Sequence, residues 1–153
     1  MSGGYKNVTV LVNILNKSWN TVQELRDNYG FPWPQNIFSF TGNNCRLNDN
    51  VFLHGGGGIV IKDNVTISAS AKLISYGYDT VDWINNCVHK KHVGKEIFIG
   101  KNTWIGAGVI VLPGVRINGV GVILAAGAVV TKSFDDDYVV IAGNPAQIIK
   151  NYK

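Results

Sequence analysis

The sequence predicts an all-β solenoid, in which short strands and turns wind into stacked coils. Two observations support this fold class, and the first is a six-residue repeat between Ile97 and Ser133. One of its units has seven residues, because one residue is added near Gly119–Gly121. An amphipathic strand repeats every two residues and a helix about every 3.6, so a fixed period of six indicates coils instead. The third position of each unit is aliphatic: Ile99, Ile105, Val111, Ile117, Leu124 and Val130.

The second observation is that the same spacing reaches upstream. Ile61, Ile67 and Leu73 lie six residues apart, and Leu47 and Leu53 form an earlier, less regular pair. A single unit cannot bury its aliphatic residue alone, so successive coils must stack to form a core. We therefore expect these positions to line the interior of one continuous solenoid.

Composition fits one β-rich globular domain. Only 16% of the 153 residues are charged, 46% are hydrophobic and 18 are glycine, which argues against disorder and for many tight turns. The net charge of +4 favours an anionic ligand but is too small to indicate nucleic acid. Two cysteines without a CxxC motif favour a reducing compartment. With no signal-peptide pattern and no apolar run long enough to span a membrane, the sequence predicts a cytoplasmic protein.

The first 36 residues differ from the repeats that follow. Lys6–Leu15 has the alternation of a strand, and the stretch SWNTVQELRDNYG predicts a short helix that Asn20 caps and Gly30 ends. We interpret residues 1–36 as a cap over the open end of the solenoid, with an acceptor-binding element as the alternative. Residues 37–150 then form the solenoid domain.

Two stretches interrupt the period. Leu73 and Ile99 are twenty-six residues apart, two more than four units, and residues 77–96 between them are predicted to be a loop on one face. The run HGGGG at His54–Gly58 could cradle an anion, but it lacks the Lys-Ser/Thr of a phosphate-binding loop. We interpret it as a bulge in a coil turn and keep His54 as a candidate acceptor-binding residue.

Three segments resemble the hexapeptide-repeat acyltransferases, in particular the galactoside, maltose and polysaccharide O-acetyltransferases. They are IFIGKNTWIGAGVIVLPGV, LAAGAVVTKSF and VVIAGNPAQIIK, and the resemblance extends roughly from Asp49 to Lys150. It implies a left-handed parallel β-helix with a short N-terminal strand/helix cap and one interrupting loop. It also implies acetyl transfer from acetyl-CoA to a sugar hydroxyl, on a polysaccharide or its precursor.

In the resembling family a histidine takes the acceptor proton, which its near-neutral pKa suits. Here Tyr78 stands at that histidine's position, and a phenol with a pKa near 10 is a poor base. Either the base has moved or the activity is lost. The candidates for a moved base are His92, which we favour because the coil restarts four residues later, and His89, each with a solvated surface residue as the alternative. Asp79 or Asp82 could orient the imidazole, and Tyr78 and Asp79 are kept as candidate acceptor contacts.

The resemblance also implies a coenzyme A site. The amide of Ala107 would stabilise the oxyanion, small residues would let the pantetheine arm lie close, and lysines would contact phosphates. Trp104 would lie partly buried beside the loop. Tight corners also require small residues, and a lysine can simply be solvated. The residues assigned to this site are Trp104, Gly106, Ala107, Ala125, Ala126, Thr131, Lys132 and Lys150.

Three function classes follow from the residues and the resemblance. The favoured one is an O-acetyltransferase, with N-acetyl transfer to an amino sugar as a variant, working as a homotrimer with sites between subunits. The second is a scaffold without the base, suggested by Tyr78. The third is a zinc hydro-lyase of the gamma carbonic anhydrase type, disfavoured because the HG-x-x-x-H spacing is missing. We therefore predict no metal site.

Overall fold

The computed structural model describes residues 18–19, 39–40, 42–81, 83–86 and 90–153. These residues form short strands and one four-residue helix, α1, at Trp83–Asn86. The strands are β1 (Ser18–Trp19), β2 (Ser39–Phe40), β3 (Cys45–Leu47), β4 (Phe52–His54), β5 (Ile59–Ile61), β6 (Thr66–Ile67), β7 (Lys72–Ile74), β8 (Tyr76–Tyr78), β9 (His92–Gly94), β10 (Ile97–Ile99), β11 (Trp104–Ile105), β12 (Ile110–Val111), β13 (Arg116–Ile117), β14 (Ile123–Leu124), β15 (Val129–Val130), β16 (Val139–Gly143) and β17 (Ala146–Asn151).

Three sheets form the faces of the solenoid. Sheet A has the order β1-β3-β6-β11-β14-β16-β17, sheet B the order β13-β10-β5-β2, and sheet C the order β15-β12-β7-β4. Along the chain, successive strands of a coil belong to sheet B, then sheet A, then sheet C. The strands of each coil pair in parallel with those of the next coil. Each coil therefore has three corners, which we name B–A, A–C and C–B after the sheets they join.

The predicted aliphatic positions form the core. Ile61 pairs with Ile99, and Ile99 pairs with Ile117, so one column of side chains continues from coil to coil. All nine regular positions predicted from the repeat are fully buried, and Leu47 and Leu53 join them. The period of six therefore indicates the interior correctly.

A second buried column lies two residues before the first. Side chains alternate along a strand, so positions i and i−2 point to the same side. Val109 and Val115 are examples, and Thr103 fits among them because its Oγ1 donates to the carbonyl oxygen of Gly100 at 2.8 Å. The sequence prediction named only one residue in each unit and missed this column.

The corners are turns that repeat from coil to coil. At the B–A corner Asn64 and Asn102 have φ near +57°, and the Asn64 side-chain amide donates to Oδ1 of Asn102 at 3.0 Å. At the A–C corner the amide of Gly108 donates to the carbonyl of Ala69, and that of Gly127 to the carbonyl of Ala107. The corners thus supply their own hydrogen-bond ladders between coils.

The coil is interrupted between β7 and β10, at the C–B corner. Here β8 and β9 pair antiparallel as a hairpin, and α1 lies between them in the chain. The hairpin begins at Tyr76, one residue before the predicted loop, and the repeat resumes at Ile97. We call residues 76–96 the insertion.

The HGGGG run is a bulged turn beneath this insertion, as predicted. It lengthens the coil, so that Leu53 pairs with Leu73 twenty residues later. A Cβ on Gly57 would lie 2.1 Å from the carbonyl oxygen of Ser75, so only glycine fits this close approach. The turn serves packing against the insertion.

Only two residues of the predicted N-terminal cap are described. Ser18 and Trp19, the first residues of the predicted helical stretch, form β1, which pairs antiparallel with β3. The rest of that stretch and the strand predicted at Lys6–Leu15 lie outside the described residues. Among the described residues, no helix is long and apolar enough to cross a membrane.

Candidate functional site

The insertion brings aromatic and imidazole rings together at the C–B corner. The hairpin register places Tyr78 directly opposite His92, with ring centroids 4.6 Å apart. The His92 ring also stacks on Tyr76 at 5.3 Å, with only 3° between the planes. His54, on β4, meets the same Tyr76 ring edge-on at 5.7 Å. We call these four residues the aromatic cluster.

His54 and His92 differ in their surroundings. His54 is half-buried, and desolvation lowers its pKa below the ordinary value of 6.5, which favours the neutral form. The His92 side chain is exposed, and within the described chain its contacts are rings rather than hydrogen bonds. Of the two, His92 therefore has the freer access to a ligand.

The other predicted acceptor residues of the insertion lie around Tyr78. The Tyr78 side chain is 46% exposed, with Lys90 Nζ 5.3 Å from its ring centroid. Asp79 accepts the amide hydrogen bond of Val81 at 2.9 Å and lies 3.7 Å from Lys91 Nζ. No hydrogen bond joins Asp79 to His92 in the described part of the insertion, so Asp79 stabilises its own turn. His89 and Asp82 lie outside the described residues.

A second group of predicted residues lies at the A–C corner. Gly106, Ala107, Ala125 and Ala126 follow β11 and β14, two strands that pair with each other in sheet A. A Cβ on Gly106 would lie 2.7 Å from the amide nitrogen of Ala126, so a glycine is required for the two turns to stack. This corner presents a smooth, small-residue surface.

The Ala107 amide takes no part in the hydrogen-bond ladder between the described coils. The turn Gly106–Val109 closes through the Val109 amide at 3.3 Å, and the Ala107 carbonyl accepts from Gly127. The Ala107 amide itself donates to no acceptor within the described residues. An N–H at an exposed turn that has no acceptor within the described chain can bind an anion or a developing oxyanion.

Trp104 differs from its prediction. It is 52% exposed on sheet A, and its Nε1 donates to Ser68 Oγ at 2.9 Å. Sheet A lies across the coil from the C–B corner, so within one chain Trp104 does not lie beside the insertion. Its neighbour along the chain is instead the small-residue corner that begins at Gly106.

The predicted cationic residues are spread over the C-terminal end. Lys132 Nζ donates to Gln147 Oε1 at 2.9 Å and lies 5.5 Å from the ring centroid of Phe134. Lys150 is exposed on β17 opposite Val140, and Thr131 is exposed next to Lys132. Lys132 is thus held by an internal partner, whereas Lys150 extends from the last strand of sheet A.

The two halves of the predicted site occupy different corners of one chain. The aromatic cluster is at the C–B corner and Ala107 is at the A–C corner, with sheet C between them. Five residues, 109–113, separate these corners in the third coil, which is on the order of 15 Å at about 3.3 Å per residue. A histidine of the cluster and the Ala107 amide of the same chain therefore do not meet at one reacting atom.

Tyr76 is the member of the cluster that sequence reasoning missed. A signal was available, because Tyr76 and Tyr78 are two residues apart and share a face in any strand. Metal ligation has no support in the described residues, where no three His, Cys, Asp or Glu side chains are grouped. The described part of the site is built from imidazoles, phenols and backbone amides.

The chain resembles the hexapeptide-repeat acetyltransferases in both sequence and fold. No family model matches the chain. It is 32% identical over 131 residues to galactoside O-acetyltransferase of Lactococcus lactis, an alignment covering 73% of this chain and 62% of that protein. The chain spans less than two thirds of the length of the curated relatives it matches.

Solved structures of the same class confirm the left-handed parallel β-helix. A maltose O-acetyltransferase from Clostridium difficile superimposes with a TM-score of 0.70 at 23% identity, covering 98% of this chain and 87% of that one. A hexapeptide-repeat acetyltransferase from Vibrio cholerae, complexed with acetyl coenzyme A, gives 0.68 at 21% identity over 98% and 86%. The family resemblance and the fold class predicted from the sequence are both confirmed.

Proposed function

We propose that the chain is an acetyl-CoA-dependent acetyltransferase that acetylates a hydroxyl group of a sugar, in a polysaccharide or its precursor. The sequence relative is a galactoside O-acetyltransferase, and one structural neighbour is complexed with acetyl coenzyme A. Sugar hydroxyls are the acceptors named for two of these proteins. The proposal that acetyl-CoA is the donor rests on the sequence motifs that the coil shares with these proteins. The proposal for the acceptor site rests on the insertion.

The single observation that supports activity in this chain is the pairing of His92 with Tyr78. Tyr78 stands where the resembling family has its catalytic histidine, and the hairpin places the His92 imidazole 4.6 Å from that side chain. In this proposal the base has moved from position 78 to the residue directly opposite on the paired strand, so it still lies next to position 78. A neutral imidazole suits proton removal from a hydroxyl near pH 7.

In the proposed reaction, His92 accepts the proton of the sugar hydroxyl as its oxygen attacks the thioester carbonyl carbon. The carbon–sulfur bond breaks, the acetyl group is now on the sugar oxygen, and the thiolate of coenzyme A takes up the proton. The Ala107 amide hydrogen-bonds the oxyanion of the tetrahedral intermediate. Atoms and charge balance without a metal or a redox partner.

The A–C corner suits the donor's pantetheine arm. Gly106, Ala107 and Ala126 leave the turn surfaces without bulky side chains, so an extended chain can lie against them. Lys150 supplies a charge for a phosphate group, and Lys132, which uses one of its three ammonium donors on Gln147, supplies a second.

The separation of the two corners favours sites shared between subunits. We propose a homotrimer in which the aromatic cluster of one chain faces the A–C corner of the next. The exposed side chains of the insertion, Val81, Trp83 and Ile84, supply apolar surface for such a contact. Mass measurement in solution tests this assembly directly.

The decisive experiment compares acetyl transfer by the wild type and two variants. His92→Ala should lower kcat by about 10² to 10⁴, while calorimetry shows unchanged acetyl-CoA binding. Tyr78→Phe is the matched control in the same hairpin pair and should stay within a few-fold of the wild type. The acceptor panel should contain neutral sugars and amino sugars, which separates O-acetylation from N-acetylation.

A scaffold without transferase activity is the second candidate, favoured by the replacement of the family's histidine with Tyr78. It predicts no turnover by the wild type on any acceptor, and no effect of His92→Ala on a background rate. Acetyl-CoA binding without turnover would support this scaffold and refute the proposed enzyme.

A further inference from the structure

Tyr76 occupies a central place in the aromatic cluster. Its ring lies parallel to the imidazole of His92, with 3° between the planes, and meets the ring of His54 edge-on. Offset parallel and edge-to-face contacts are the two favourable arrangements of aromatic rings. Tyr76 therefore contacts both histidines of the described residues at once.

The backbone beneath Tyr76 holds it in this place. A Cβ added to Gly56 would lie 2.7 Å from Cγ and 2.9 Å from Cβ of Tyr76, so the base of the ring rests directly on the glycine run. The preceding residue, Ser75, is fully buried, and its Oγ donates to the carbonyl of His54 at 2.7 Å and accepts from the amide of Gly57 at 3.0 Å. The backbone from which the Tyr76 side chain extends is thus held in place by the hydrogen bonds of Ser75.

His92, in contrast, is contacted only by rings in the described chain: Tyr76 stacks parallel on it, and Tyr78 lies 4.6 Å away at a tilt of 38°. Its side chain is exposed on β9, and no carboxylate or carbonyl accepts a hydrogen bond from its ring in the described chain. An exposed imidazole with no such partner samples several rotamers. A catalytic base needs one orientation with its nitrogen toward the acceptor.

We propose that Tyr76 is a positioning residue, whose stacked ring holds the His92 imidazole in its reactive orientation where a carboxylate would otherwise do so. The inference rests on the proposed function, because it assigns His92 as the base. It also explains the glycine run, since Gly56 makes room for the Tyr76 ring.

The expected effect is modest and specific. The energy of an aromatic pair corresponds to a roughly two- to tenfold change in the population of the held rotamer. Tyr76→Leu should therefore lower kcat by about that factor and leave the KM for acetyl-CoA unchanged. Tyr76→Phe keeps the ring and should restore kcat. Gly56→Ala should reproduce the loss, because the added methyl group displaces the Tyr76 ring.

The matched control for Gly56→Ala is Gly77→Ala. A Cβ on Gly77 meets no atom within 4 Å, although this glycine lies in the same hairpin. Gly77→Ala should leave both kcat and the spectrum described next unchanged.

Proton NMR of the histidine rings provides a readout that does not depend on turnover. With His92 assigned by its loss in His92→Ala, its ring protons should be shifted upfield by the Tyr76 ring current. They should move toward free-histidine values in Tyr76→Leu and Gly56→Ala, but not in Tyr76→Phe.

Unmoved His92 signals in Tyr76→Leu would overturn the proposal, as would moved signals with an unchanged kcat. If the His92 signals move in Tyr76→Leu but the wild type transfers no acetyl group, the stacking is supported and only the proposed function is contradicted.

Discussion

Tyr78 and His92 are directly paired across the β8–β9 hairpin, with ring centroids 4.6 Å apart. The sequence resemblance predicts that position 78 corresponds to the base of the resembling family, and position 92 carries an imidazole in this chain. Cross-strand partners can exchange roles because their side chains occupy neighbouring space on one face. The pair therefore permits a direct test by moving the imidazole back.

Tyr78→His in a His92→Ala background should recover part of the lost transferase activity. The new imidazole stands one strand pair away from the deleted one, so we expect a recovery of about tenfold or more over His92→Ala alone. Steady-state transfer assays measure it, with Tyr78→Phe in the same background as the control. Equal rates for the two double variants would show that position 78 does not reach the acceptor.

Ala107→Pro should remove the proposed oxyanion donor without disturbing the coil. The turn Leu112–Val115 has the same 3.3 Å closure as Gly106–Val109 and already carries Pro113 at the equivalent position, followed by a glycine with positive φ. We expect kcat to fall by about 10² to 10³, with the melting temperature maintained.

The control for this variant is Ala69→Pro, one coil earlier. Ala69 lies in the turn Ser68–Ala71, which closes the same way at 3.3 Å. The Ala69→Pro variant should fold and retain activity. A fall in kcat of similar size in both variants would mean that the proline, and not the missing amide, is responsible.

Ile105→Ala should destabilise the solenoid strongly. Its side chain is fully buried between Ile67 and Leu124, so truncation leaves a cavity between three coils and should cost about 2–5 kcal/mol. Urea unfolding at fixed protein concentration measures the loss. Ile149→Ala removes the same atoms from a side chain that is 64% exposed and should change stability by less than about 0.5 kcal/mol. Similar losses for both would contradict the assignment of the core.

Asp63 should make stability depend on acid pH. Its Oδ1 accepts the Asn43 amide at 2.8 Å and its Oδ2 lies 3.3 Å from Lys101 Nζ, and these contacts lower its pKa below the ordinary 3.8. Because the charged form is favoured in the fold, its contribution is present above pH 3.8 and is lost as the pH falls through the folded pKa. Asp63→Asn should melt below the wild type at pH 7, and the difference should shrink as the pH falls below 3.8. A gap that stays constant with pH would refute the role of the carboxylate.

The sequence predicted the coil because its geometry repeats. Ile99 and Ile117 face inward 18 residues apart, which is one turn of the three-sided coil. Ile61 and Ile99 still pair, although the insertion lengthens the chain between them. The exposed side of Trp104 was not predictable in the same way, because hydrophobic residues also occur on outward positions.

The candidate site was only partly predictable. The sequence indicates His92 as a candidate base and Tyr78 as the residue at the family's base position. Their contact, however, depends on the register of the β8–β9 hairpin, which the six-residue repeat does not determine. The place of Tyr76 depends further on the bulge at Gly56, which belongs to a different coil. Such contacts join segments without a common repeat, so spacing alone cannot reveal them.

Within the described residues, sheet A ends in an antiparallel strand at both of its edges, β1 beside β3 and β17 beside β16. A second copy of the protein that approaches either edge of sheet A meets a strand that runs antiparallel to the coils and so cannot continue the parallel sheet. Stacks of solenoids are prone to grow into fibres through such ends, and a reversed strand is one way to prevent it. On this face of the solenoid, the two antiparallel strands thus hinder a second copy of the protein from adding a parallel strand along the coil axis.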